Sequence, residues 1–81
     1  MFGSVVLSKA GRDKERYFII TKLEDNYVYI VDGDLHKVEN PKRKKIKHLQ
    51  ETDLFSEKLS ERFNNNNKVT NQEIKRFLKN I

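Results

Sequence analysis

Two short stretches hold most of the side chains that could do chemistry. In Ser8-Lys9-Ala10-Gly11-Arg12-Asp13-Lys14-Glu15-Arg16, four cations crowd a turn around a single glycine. In Lys42-Arg43-Lys44-Lys45-Ile46-Lys47-His48, five cations fall within residues 42–47. The chemistry served by such residues is neutralisation of phosphate. Lys and Arg side chains, together with backbone N–H groups, contact phosphate oxygens and supply affinity that does not depend on base sequence. A glycine in the turn lets the backbone itself come close to a ligand. The turn's cations exceed Asp13 and Glu15 by 2, and Lys37 with the 42–47 cluster exceeds Glu39 by 5. On one side of a domain the two segments would make a continuous basic face. The bland reading is that lysines protect an exposed edge strand from pairing, but the run is denser than that protection needs.

Other chemistries find less support. Asp32 and Asp34 flank Gly33 and could be a general acid–base pair, yet Asp-Gly-Asp is fully explained as a turn. His36 and His48 stand apart with no cysteine in the chain, which argues against a zinc site. The absence of cysteine also removes disulfides and thiol nucleophiles and suits a reducing compartment. No catalytic residue, metal or cofactor is therefore expected. Tyr17, Tyr27 and Tyr29 could stack on bases, although aromatics in a small sheet more often pack at its core or rim.

The elements that must position these residues can be read from the pattern. At 81 residues the chain is long enough for one domain, with a modest core and an appended helical piece. Gly3 to Ser8 reads as a first strand, Arg16 to Leu23 as a second and Tyr27 to Val31 as a third, rich in β-branched and aromatic residues. Turns fall at Ala10–Lys14, at Glu24-Asp25-Asn26 and at Asp32-Gly33-Asp34. Pro41 interrupts regular structure, and Lys44 to Leu49 reads as a short strand with Ile46 inward. Such short strands at roughly ten-residue spacing imply a small antiparallel sheet that curls or closes to remove its edges.

After Gln50 the period changes. Leu54, Phe55, Leu59 and Phe63 recur at helical spacing, with Ser56 or Asp53 as N-cap. Asn64 to Asn67 ends that helix, since asparagine tolerates the left-handed conformation. Thr70-Asn71-Gln72-Glu73 is a capping box, followed by an apolar stripe at Ile74, Phe77, Leu78 and Ile81. Two helices this short are unstable alone and should pack on the sheet or on a partner. The reading is thus a β domain over 1–50 and a helical extension over 51–81. The apolar runs are too short to span a bilayer and the N-terminus does not read as a secretory signal, so no membrane association and a cytoplasmic location are expected.

Gly3-x-Val5-Val6, the Ala10-Gly11-Arg12-Asp13-Lys14 turn and the Tyr17-Phe18-Ile19-Ile20 strand together resemble a KOW motif. With Val31-Asp32-Gly33-Asp34 and Lys45-Ile46-Lys47-His48-Leu49 added, residues 2–50 are similar to the KOW-type large-subunit ribosomal protein family typified by "fourteen-e", whose short bacterial members carry similar helical tails. The resemblance implies a mainly β, SH3-like antiparallel barrel that binds ribosomal RNA or the ribosome, here followed by two short helices. A monomer without catalytic activity is expected. It implies RNA-facing roles for Lys9, Gly11, Arg12, Lys14 and Arg16. The charge pattern adds Lys37, Lys42, Arg43, Lys44, Lys45, Lys47 and His48 to the expected RNA surface. One departure stands out: many KOW loops carry glycine near the position of Glu15. The alternative reading is a protein-interaction module of the transcription or translation machinery, using the barrel or the helical tail.

Overall fold

The computed structural model describes residues 3–11 and 14–81. Five strands form one antiparallel sheet: β1 (Ser4–Ser8), β2 (Tyr17–Glu24), β3 (Tyr27–Val31), β4 (Lys42–Lys45) and β5 (Leu49–Phe55), in the spatial order β4-β3-β2-β1-β5. The helices α1 (Glu57–Asn64) and α2 (Asn71–Lys79) complete the chain. The mainly β class with two C-terminal helices is the one the sequence predicts.

The first three strands form where alternation and turn residues agree. β1 and β2 pair through Val5↔Ile19, Val6↔Phe18 and Leu7↔Tyr17, and β2 and β3 meet across a tight connection at Asp25, whose φ is +53°. Aspartate reaches that left-handed region at lower cost than most residues.

Two sequence expectations are corrected further along. The segment Lys44 to Leu49 is not one strand. β4 stops at Lys45, and Ile46–His48 makes one turn of 3₁₀ helix before β5 begins at Leu49. Ile46 is 46% exposed, and Leu49 enters the core in its place. Leu54 and Phe55 belong to the end of β5 rather than to a helix, and both are exposed. The helical period starts after Ser56, whose side chain caps α1 by accepting from the Leu59 N–H at 3.1 Å. β5 lies against β1 as an outer strand, with Thr52 Oγ1 donating to the Val5 carbonyl at 2.7 Å across a bulge.

β4 and β5 are consecutive in sequence but sit at opposite edges of the sheet order. A single helical turn joins them, so the sheet curls until its edges approach. No ladder pairs β4 with β5 among the described residues, so the sheet stays open in its hydrogen bonding and does not close into the expected barrel.

Each face of this curled sheet has its own core, because side chains alternate along a strand. Val6, Phe18, Ile20, Val28, Ile30 and Leu49 fill the inner face. Val5, Ile19 and Val31 point the other way and are covered by Leu59, Val69 and Ile74, with Phe63, Phe77 and Leu78 packed around them. Burying each large aliphatic side chain contributes about 1.5–3 kcal/mol, which is what fixes two otherwise marginal helices.

Polar contacts then set the angles. The Arg62 guanidinium on α1 forks onto both carboxylate oxygens of Glu73 on α2 and also donates to the Lys68 carbonyl. Glu73 closes the capping box as well, accepting from the Thr70 N–H at 3.2 Å while its own N–H bonds Thr70 Oγ1 at 3.2 Å. The hydrogen bond from Arg62, followed by that from the Thr70 backbone, lowers the Glu73 pKa from 4.5 to about 2. At the start of α2, Asn71 accepts from the Val38 N–H at 2.8 Å and donates to Glu39 at 2.6 Å.

Candidate nucleic-acid interface

The charged turn is held at its base by a buried serine. Ser8 is 0% exposed. Its hydroxyl donates to the Ala10 carbonyl at 3.1 Å and accepts from Lys44 Nζ at 2.9 Å, and the same ammonium donates to the Ala10 carbonyl at 3.1 Å. Lys44 therefore crosses from β4 to the turn. Nearby, the Lys9 N–H bonds the His48 carbonyl at 3.0 Å. The turn at 8–11 and the segment at 44–48 are thus neighbours in space, as a continuous basic face requires. Arg12 lies outside the described residues.

At the other end of the turn, the Glu15 N–H bonds the Ser8 carbonyl at 2.7 Å and the Ser8 N–H bonds the Arg16 carbonyl at 3.0 Å. Two residues thus oppose one, which is a bulge, and its first residue is left-handed: Glu15 has φ +69°. Gly11 is exposed at φ +82°, and a β-carbon placed on it would meet only Lys44 Nζ at 3.8 Å.

The basic run does not form a single stripe. Register pairs Lys42 with Ile30 and Lys44 with Val28, whereas Arg43 pairs with Tyr29 and Lys45 with Tyr27. Directly opposed residues share a face, so Lys42 and Lys44 lie on the side of the inner core, and Arg43 and Lys45 on the side of the tyrosines. There Arg43 sits 3.6 Å from the centre of the Tyr27 ring and its Nε bonds Glu24 at 3.2 Å. Lys22 lies 5.2 Å from the centre of the Tyr29 ring. Beside them a cavity of about 520 Å³ is lined by Asn26, Tyr27, Lys45, Ile46 and Lys47.

The expected site residues fall into three states. Arg16, Arg43 and Lys44 are engaged within the protein: Arg16 donates to Asp32 at 3.5 Å and lies 4.0 Å from Asp34. Lys9, Lys14, Lys42, Lys45 and Lys47 are exposed and have no carboxylate partner among the described residues. Lys37 is exposed too, but it lines a different groove, together with Arg16. His48 is half-buried and its carbonyl serves Lys9.

The carboxylate at 32 serves the turn, whereas that of Asp34 is exposed and lies 4.0 Å from Arg16. Asp32 is 6% exposed; its Oδ1 accepts from the Asp34 N–H at 3.0 Å and the His36 N–H at 2.9 Å, and its Oδ2 faces Arg16. His36 packs its ring 5.7 Å from that of Phe18. Among the described residues no three His, Cys, Asp or Glu side chains are grouped to hold a metal, and no helix is long and apolar enough to cross a membrane.

Three cations that sequence reasoning passed over also line the Arg16 groove: Lys75, Arg76 and Lys79 of α2. Their spacing was visible as the polar complement of the apolar stripe, but nothing in the chain indicates that it faces Arg16. No protein-family model matches the chain, and no curated protein does.

Proposed function

We propose that the chain is a non-enzymatic RNA-binding protein of KOW type that attaches in the cytoplasm to ribosomal RNA or to the ribosome. The observation that carries this reading is the joint made by Lys44. It ties the basic strand to the glycine-bearing turn, with Lys9 and Lys14 exposed in the turn and Lys42, Lys45 and Lys47 exposed in and just after the strand. Unpaired lysines on a fixed backbone suit phosphate, because an ion pair formed on binding displaces condensed counterions rather than an internal partner. The left-handed φ of Glu15 adds support: the position where many KOW loops carry glycine keeps a glycine-like backbone here. RNA of A-form shape would be met through phosphates and exposed bases, since its deep major groove excludes side chains.

The test is a titration with ribosomal RNA at several salt concentrations, beside a Lys42→Gln/Lys45→Gln/Lys47→Gln variant. Lys44 and Arg43 are left intact because they hold the fold. Each lost duplex phosphate contact lowers the slope of log affinity against log salt by about 0.9, so the variant should lose roughly 2–3 of that slope. A wild-type affinity insensitive to salt, or an unchanged slope in the variant, would overturn the reading.

The alternative of a protein-interaction module through the helical tail is weakened by packing, since Ile74 is buried and Phe77 and Leu78 lie against the sheet. Its remaining support is Ile81, which the apolar stripe predicts to be buried but which is 44% exposed beyond α2, and the outer strand β5, where Leu54 and Phe55 are 38% and 44% exposed.

A further inference from the structure

The second helix carries two stripes. Ile74, Phe77 and Leu78 pack inward. Gln72, Lys75, Arg76 and Lys79 recur at i, i+3, i+4 and i+7, which is one face of a helix, and all four line a groove of about 950 Å³. The opposite wall is the end of the charged turn and the segment after β3, bringing Arg16, Tyr17 and Lys37. Gly33 lets the walls come this close. A β-carbon on it would lie 2.3 Å from the Asn71 carbonyl oxygen and 2.9 Å from Lys75 Cγ.

The charge in this groove is not balanced internally. Asp32 is committed to two backbone N–H groups and to Arg16. Asp34 lies 4.0 Å from Arg16, and Glu15 also lines the groove, so five cations face three carboxylates there. Lys37, Lys75, Arg76 and Lys79 have no carboxylate within 4.0 Å among the described residues. Four uncommitted cations thus face a wide, open cleft. Lys75 and Lys79 stand one turn apart, about 6 Å along the axis, a spacing that suits successive phosphates of one strand.

We infer that this groove is a second RNA-backbone contact, in which Lys75, Arg76 and Lys79 of α2 and Lys37 hold a stretch of sugar–phosphate chain. This rests on the RNA-binding reading and extends it. The β4 surface and the α2 groove share no cation, so the protein would grip the RNA at two places and the helical tail would be part of the interface rather than a support for the sheet. Arg16, anchored by Asp32 at the groove wall, positions the turn between the two contacts.

The test uses the full chain and large-subunit ribosomal RNA, with three charge-matched variants: Lys75→Gln/Arg76→Gln/Lys79→Gln in the groove, Lys42→Gln/Lys45→Gln/Lys47→Gln on β4 and after it, and Lys58→Glu/Lys68→Gln, which lowers the charge equally, away from both. Glutamine retains helix propensity, and circular dichroism checks the fold of each variant. The inference expects the groove variant to lose roughly 2–3 of the salt slope, as the β4 variant does, with the third variant near wild type. An unchanged slope in the groove variant, while the β4 variant loses its own, would overturn the groove and leave the RNA reading standing. Equal losses in all three would mean net charge alone, which also overturns the groove. Wild-type protein that does not bind the RNA would overturn both.

Discussion

Glu15 offers a direct check on how the charged turn is built. Its φ of +69° puts a β-carbon where L-residues are crowded. The two hydrogen bonds around it, Glu15 N–H to Ser8 at 2.7 Å and Ser8 N–H to Arg16 at 3.0 Å, keep it from relaxing. A left-handed conformation costs a non-glycine residue about 1–2 kcal/mol. Glycine removes that cost but has more freedom to lose on folding, which returns roughly 0.4–1 kcal/mol. Glu15→Gly should therefore stabilise the protein by about 0.5–1 kcal/mol. In a domain of this size that raises Tm by roughly 2–8 °C. Glu15→Ala removes the same negative charge but keeps the β-carbon, so its stability should stay near wild type. Urea and thermal unfolding of the three proteins at neutral pH separate backbone strain from charge. Equal stability of the glycine and alanine variants, or a glycine variant less stable than wild type, would refute the strain reasoning. Both variants should bind RNA slightly and equally tighter, because each removes one carboxylate beside Lys14 and Arg16.

Two further outcomes follow from the packing of the helices. Gly33→Ala should destabilise the protein by about 2–4 kcal/mol, since φ is +78° and the new methyl would run into the Asn71 carbonyl at 2.3 Å; denaturant unfolding measures it, and a loss under about 1 kcal/mol would mean that α2 is not seated on the turn. The lowered pKa of Glu73 predicts acid sensitivity of the α1–α2 contact. Its folded pKa lies below its ordinary value, so the contribution is fully present above about pH 4.5 and is lost as pH falls toward 2. Stability of Glu73→Gln measured over that window should show a shallower decline than wild type. Parallel curves would contradict the role given to Arg62.

The parts of the fold that could be read from the chain are those where local chemistry and burial coincide. β2 opens with an unbroken buried apolar run and β3 alternates buried and half-buried residues up to Ile30, Gly11 and Gly33 mark turns, and the Thr70–Glu73 box together with the Ile74 stripe defines α2. The fourth and fifth strands were harder for a physical reason. Lys42-Arg43-Lys44-Lys45 has no polarity contrast from which to phase a strand, so Ile46 drew the inward assignment that belongs to Leu49. β5 is exposed at most positions and is held by its pairing with β1, a long-range term with no local signature. The interface shows the same division. The cations themselves were evident, but which of them are consumed internally depends on contacts such as Lys44 with Ser8 and Arg43 with Glu24 and Tyr27.

The most direct test of the central claim, that the charged turn and the basic strand form one RNA-contact surface, is residue-level mapping by NMR. Backbone amide resonances of the labelled protein would be followed as ribosomal RNA fragments are added at low salt. Shifts should concentrate at Lys9, Gly11 and Lys14 together with Lys45, Lys47 and His48, rising and falling together along one binding curve. Shifts confined to Leu54 and Phe55 on β5, or to only one of the two basic segments, would contradict a single surface joined by Lys44.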